Sequence, residues 1–205
     1  VFYVDNGYAF GMPGKNSPWE MGLRTPLFLS WPGQVPADKR IDGLTYALDL
    51  HATMLDYAGV EPAAKIESRS LRPLIDGKTN KTRGQLFGAT YAHHAHNHPE
   101  ADTLPIGPER DVFTLYARDK KWKYMLFTQD VGEHNVPYFY LRSNTGQVPT
   151  ASKGEERLYD LEHDPFETNN LINQPGHRAR AAKLRRQLFD WWQRTGGEPI
   201  DGIQP

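Results

Sequence analysis

Three short stretches hold the residue types best suited to chemistry. Asp5 and Asn6 end the apolar run Val1-Phe2-Tyr3-Val4 and precede Gly7. A carboxylate and an amide carbonyl are hard oxygen donors, and ligands usually bind where the strands of an open α/β sheet end. The pair could therefore give two ligands to Ca²⁺ or Mg²⁺. The same dipeptide before a glycine also reads as a plain Asx turn. Lys15 follows in Gly14-Lys15-Asn16-Ser17. Near a bound cation its ammonium could neutralise a tetrahedral anion, although a lone lysine in a loop is ordinarily solvated. The segment is not a phosphate-binding P-loop, because the Gly-x-x-x-x-Gly-Lys-Ser/Thr spacing is absent. His93, His94, His96 and His98 crowd a third stretch. They read as a metal-binding cluster, as substrate-facing groups at a cleft rim, or as an exposed loop without a shared role.

These residues need elements to place them. Val1 to Val4 is a strand running into a loop at Asp5-Asn6-Gly7. The density of Gly and Pro over residues 7–25 predicts an ordered loop without a long regular element. Within it Glu20 and Arg24 could form a charge-assisted pair that holds Lys15 in place without touching substrate. Leu27 to Trp31 is expected to be a central strand covered on both faces. Asp49 to Ala58 reads as a helix with Asp49 as N-cap, Gly59 in the left-handed position after it, and Leu50, Met54, Leu55 and Ala58 on one apolar face. A short helix or turn follows at Ser70 to Ile75.

The second half changes character. Strands are expected over 85–91, 112–117, 121–128 and 156–161, with a tight turn at Asp119-Lys120. Between Lys121 and Leu126 polar and apolar residues alternate, so that strand should be half exposed, with Lys121, Lys123 and Met125 on the outer face. A helix should run from about Pro175 to Trp192 with Ala181, Leu184, Leu188 and Trp192 facing inward. The polar stretch Asp76 to Lys81 marks a boundary near residues 77–84.

Composition narrows the class. The chain has 205 residues, 24 Lys and Arg against 25 Asp and Glu, and no Cys. Near-neutral charge gives no general electrostatic case for nucleic acid, and the three lysines of Lys120, Lys121 and Lys123 read as solvated charge. No apolar run approaches the ~18 residues of a membrane span. The absence of Cys excludes disulfides, thiolate metal sites and a Cys nucleophile within these residues.

Taken in order, the motifs resemble the type I, formylglycine-dependent sulfatases of the alkaline-phosphatase-like superfamily. Asp5-Asn6-Gly7, Gly14-Lys15, Trp19-Glu20-x-Gly22-x-Arg24-x-Pro26, Trp31-Pro32-Gly33 and Asp49-Leu50-x-x-Thr53-Met54-Leu55 are similar to the second half of such an enzyme. Leu158-Tyr159-Asp160-Leu161 through Asp164-Pro165-Phe166-Glu167 to Asn170-Leu171 is similar to its C-terminal signature. Met21 and Ala52 depart from the usual Gly and Pro.

The resemblance implies an α/β fold: the end of a sulfatase core (residues 1–80) followed by a small C-terminal α+β domain (81–205) with an antiparallel sheet and a long helix. That second domain would lend loops to the substrate cleft. The resemblance further implies Asp5 and Asn6 as ligands of Ca²⁺ in preference to Mg²⁺, and Lys15 as a catalytic contact to the substrate sulfate. Glu20 and Arg24 would act behind them, and His93, His94 and His96 would meet the substrate. The nucleophile would be a formylglycine upstream, since no Cys/Ser-x-Pro/Ala-x-Arg occurs here, and the missing N-terminal portion of the protein would be the chain's partner. The substrate would be a sulfated saccharide or an aryl sulfate ester, and the location periplasmic or secreted, or lysosomal in a eukaryote. A phosphatase, phosphodiesterase or phosphonate hydrolase of the same superfamily, or a noncatalytic sulfatase-like fragment, are the alternatives. The oligomeric state is not legible.

Overall fold

A computed structural model describes residues 1–5, 7, 17–61, 67–91, 112–131 and 150–205. Asn6, Lys15, His93, His94 and His96 lie outside the described residues. The chain divides into two compact units: Val1–Tyr3 with Leu27–Leu86, and Val4–Pro26 with Phe87–Pro205.

In the first unit β1 (Phe2–Tyr3) pairs antiparallel with β2 (Leu27–Phe28). The expected five-residue central strand is thus only two residues long, and Phe28 is 64% exposed instead of covered. Its apolar composition is that of a covered strand, but among the described residues its sheet is a two-stranded ribbon. Helix α2 (Leu48–Ala58) ends as expected at Gly59, whose φ of 67° is the left-handed cap that glycine adopts without strain. Its start differs. Ala47 is the N-cap and Asp49 lies inside the first turn, buried, where its carboxylate accepts the N–H groups of Tyr46 (3.0 Å) and Arg69 (2.7 Å) and pairs with Arg83. The buried face is correspondingly Asp49, Leu50 and Thr53, and Met54 is 55% exposed. Thr53 can be buried because its hydroxyl donates to the Asp49 carbonyl and accepts the Leu71 N–H, so no polar group is orphaned. That bond ties α2 to the start of α3 (Arg72–Ile75).

The second unit is built on a four-stranded antiparallel sheet in the order β3 (Leu86–Tyr91, its first residue counted with the first unit), β4 (Val112–Arg118), β5 (Trp122–Phe127), β6 (Glu156–Asp160). The β4–β5 turn forms where expected, with the Asp119 carboxylate accepting the N–H groups of Lys121 and Trp122. Following Pro175–His177, one turn of 3₁₀ helix, α4 (Arg178–Arg194) lays Ala181, Leu184 and Leu188 against Leu115, Ala117, Tyr124, Leu126 and Leu158 of the sheet. Trp192 stays at the margin of that core.

The opposite face of the sheet is also covered, and here the expectation fails. Every residue of β5 is buried, Lys123 and Met125 included. Trp19 supplies the cover, packing with Met125, Phe127, Val131, Ala151 and Tyr159. The alternation along β5 is real, but its second face is closed by a segment a hundred residues earlier in the chain. No helix among the described residues is long and apolar enough to cross a membrane.

Candidate functional site

Asp5 follows β1 and is exposed, with no ion pair among the described residues. An exposed carboxylate at a strand exit fits a hard cation such as Ca²⁺, which takes six to eight oxygens, but supplies only part of such a shell. Gly7, two residues on, is held in place: its N–H donates to the Gly22 carbonyl at 3.0 Å. A Cβ at position 7 would overlap the Met21 carbonyl oxygen, so only glycine allows this approach.

Gly22 belongs to α1 (Glu20–Leu23), a single helical turn inside the Gly- and Pro-rich segment. The Glu20 carboxylate at its start is not paired with Arg24, which is exposed. It receives a two-pronged contact from Arg118, Nε to Oε1 at 2.9 Å and Nη2 to Oε2 at 3.0 Å, and one from Lys123 Nζ at 3.2 Å. Arg118 and Lys123 stand directly opposite each other on β4 and β5. Two cations in that relation repel, and the Glu20 carboxylate placed over both removes the repulsion.

The ammonium of Lys123, wholly buried, also lies 2.9 Å from Oε1 of Glu167. The other oxygen of Glu167 accepts the backbone N–H of Glu20 at 2.6 Å. Glu167 reaches this position from a turn folded around Asp164. One Asp164 oxygen accepts the Thr168 N–H and hydroxyl, and the other accepts the Asn169 N–H at 2.9 Å. Glu167 itself takes a φ of 57°, rare for a residue with a side chain. Asn170 closes the motif by accepting the N–H of Leu158 at the edge strand. The long C-terminal signature is therefore a folded clip that delivers one carboxylate into the interior.

Charge sets the behaviour of the two acids. Burial would raise the Glu20 carboxyl, but Lys123 and Arg118 outweigh it and hold the group below its ordinary value. Burial dominates at Glu167, with the Glu20 charge adding to it and Lys123 opposing, so that carboxyl is pushed up. No signal in the sequence distinguished Lys123 from Lys120 and Lys121. Glu167 could have been found from the density of Asp, Thr and Asn that builds its turn.

A second group of ligating atoms was not singled out from the sequence. Asp160, Glu162 and His163 place one ligand atom each within 4.8 Å of one another and could hold a divalent cation. The Lys121 ammonium already serves both carboxylates, 3.6 Å from Asp160 and paired with Glu162. Asp160 also caps its own turn by accepting the Glu162 N–H.

Comparison with known proteins places these features. Residues 9–148 match the family described as N-sulphoglucosamine sulphohydrolase, C-terminal. An ulvan-active sulfatase of Formosa agariphila is 28% identical over 194 residues, covering 91% of this chain and 36% of that protein. The chain thus spans little more than a third of the length of this relative. Among solved structures, the protein BT4656 in complex with its substrate D-glucosamine-2-N,6-O-disulfate superposes with a TM-score of 0.63 at 20% identity, covering 90% of this chain and 31% of that one. A phosphonate monoester hydrolase of Silicibacter pomeroyi gives 0.63 at 21% identity, covering 91% and 32%. At such identities these two likenesses speak for the fold. The match to the family covers most of the chain, and the chain belongs to the type I, formylglycine-dependent sulfatases of the alkaline-phosphatase-like superfamily, matching their C-terminal portion.

Proposed function

We propose that the chain forms part of a sulfuric ester hydrolase acting on a sulfated carbohydrate, with the nucleophile supplied by a formylglycine in sequence outside these 205 residues. The observation that supports this most is the exposed Asp5 carboxylate at the exit of β1, two residues before a Gly7 that is locked to α1. Asp5 and Asn6 would give oxygen ligands to Ca²⁺, the remainder of the shell coming from elsewhere. Bound there, the cation would stabilise negative charge on the transferring sulfuryl group. Lys15 would place its ammonium against a sulfate oxygen, a compact charge suited to a tetrahedral anion. His93, His94 and His96 would face the sugar, and the division of labour would follow a core part over 1–80 and a cleft-lining part over 81–205. A sugar sulfate is favoured because the substrate bound in one structural neighbour, D-glucosamine-2-N,6-O-disulfate, is one. A periplasmic, secreted or lysosomal site would suit such a substrate.

The full polypeptide carrying these residues should release sulfate from a sulfated saccharide, and Asp5→Ala should lower that rate by at least about a hundredfold. Residues 1–205 alone should release none. Turnover of an aryl sulfate by the isolated chain, or full activity of the Asp5→Ala enzyme, would overturn the reading. The phosphonate monoester hydrolase neighbour supports one alternative: faster cleavage of a phosphonate monoester than of any sulfate ester would establish it.

A further inference from the structure

We propose that Lys123 and Glu167 are positioning residues that fix where Gly7, two residues after Asp5, stands, acting through Glu20 and the first helical turn of the second unit. Each link is a contact within that unit. Glu167 accepts the Glu20 N–H at 2.6 Å, and Lys123 draws the Glu20 and Glu167 carboxylates to one ammonium, at 3.2 and 2.9 Å. Arg118 fixes the remaining freedom of the Glu20 carboxylate. Glu20 opens α1, whose Gly22 carbonyl holds the Gly7 N–H. Trp19, buried on the sheet beside this cluster, keeps the turn from sliding.

The arrangement is more demanding than packing requires. Four charged side chains are gathered on one sheet face, one of them wholly buried. An apolar side chain at position 123 would cover the same surface without the desolvation of an ammonium. Glu167 moreover holds an unfavourable backbone conformation to reach Glu20. What the charges add is direction: the hydrogen bonds define one orientation of α1 and hence of Gly7. Polar partners behind a metal ligand act in this way, and their loss typically weakens metal affinity about 10–100-fold. The metal consequence rests on the reading of Asp5 as a Ca²⁺ ligand; the mechanical link does not.

The test uses the full polypeptide and two readouts: hydrogen exchange of the Gly7 amide, and calorimetric titration with Ca²⁺. Glu167→Ala should speed Gly7 exchange at least about tenfold and raise the Ca²⁺ dissociation constant about tenfold or more. Leu188→Ala, which destabilises the other face of the sheet, should leave both unchanged. If Glu167→Ala fails to fold, the charge-balanced Lys123→Met/Glu167→Leu variant, which removes the acceptor of the Glu20 N–H, carries the same expectations. Unchanged Gly7 exchange in the folded variant, or equal acceleration by Leu188→Ala, overturns the proposal. So does unchanged Ca²⁺ affinity where Asp5→Ala abolishes binding. If the wild-type enzyme shows no Asp5-dependent Ca²⁺ binding, the ligand reading of Asp5 fails instead, and the exchange rates alone decide the positioning role.

Discussion

An ammonium without solvent contact must be neutralised where it stands. At Lys123 the neutralisation is shared by Glu20 and Glu167, and Arg118 balances the second carboxylate. Breaking such a set by removing one member leaves a buried charge uncompensated. Lys123→Met should therefore lower the free energy of unfolding by about 3–5 kcal/mol, and the Lys123→Met/Glu167→Gln pair by less, as read from urea denaturation. An unchanged midpoint for Lys123→Met would contradict the cluster. The acids also predict opposite pH behaviour. Glu20, held below its ordinary 4.5, stabilises the fold above that value, and the contribution is lost as pH falls through the lower folded value. Glu167 is raised above 4.5, so taking up its proton favours the folded chain as pH falls. Below about pH 5 the Glu20→Gln protein should lose less stability than wild type, and Glu167→Gln more. Identical pH profiles for the two variants would contradict the assignment. At this scale the sequence showed Glu20 as a residue behind the site, but assigned it to Arg24. Its real partners lie about a hundred residues away, at a distance that local spacing cannot reveal.

Elements were more legible than partners. The sheet strands, the β4–β5 turn, the left-handed Gly59 cap and the inward face of α4 all follow from local pattern. Period and turn chemistry act over a few residues. Truncating Leu188, fully buried on the sheet-facing side of α4, should cost about 2–5 kcal/mol in chemical denaturation. What local pattern missed was cover from afar. The outer face of β5 is buried by the Trp19-Glu20 segment, and the first turn of α2 is buried because Asp49 has Arg69, Arg83 and Tyr46 as partners. Asp49 looked like an N-cap because capping and tertiary hydrogen bonding use the same short carboxylate. β2 failed in the other direction: an apolar run reads as buried whether or not its cover is at hand. Gly7 shows the same economy at the site. Gly7→Ala cannot keep the bond to Gly22.

At the scale of the molecule, the first unit exposes Phe2 at 59%, Phe28 at 64%, Trp31 at 50%, Leu48 at 51% and Met54 at 55%. An apolar groove of 770 Å³ runs beside Leu29, Trp31, Ile41 and Leu74. Surfaces of this kind rarely stay bare in water. The 205-residue chain alone should self-associate at micromolar concentration in sedimentation velocity, with Phe28→Ser and Trp31→Ser together reducing the effect. A monodisperse monomer would contradict this. The ordered set of motifs made the family legible, because each motif is short but their sequence along the chain is not accidental. The cation site proposed for the full polypeptide rests on Asp5 and Asn6, and the buried ionic cluster acts through Gly7, which follows them in the chain. A crystal structure of the full polypeptide grown with Ca²⁺ tests it most directly. The expected result is an ion with oxygens of Asp5 and Asn6 about 2.3–2.6 Å away. An ion held by Asp160, Glu162 and His163, with Asp5 turned to solvent, would contradict it.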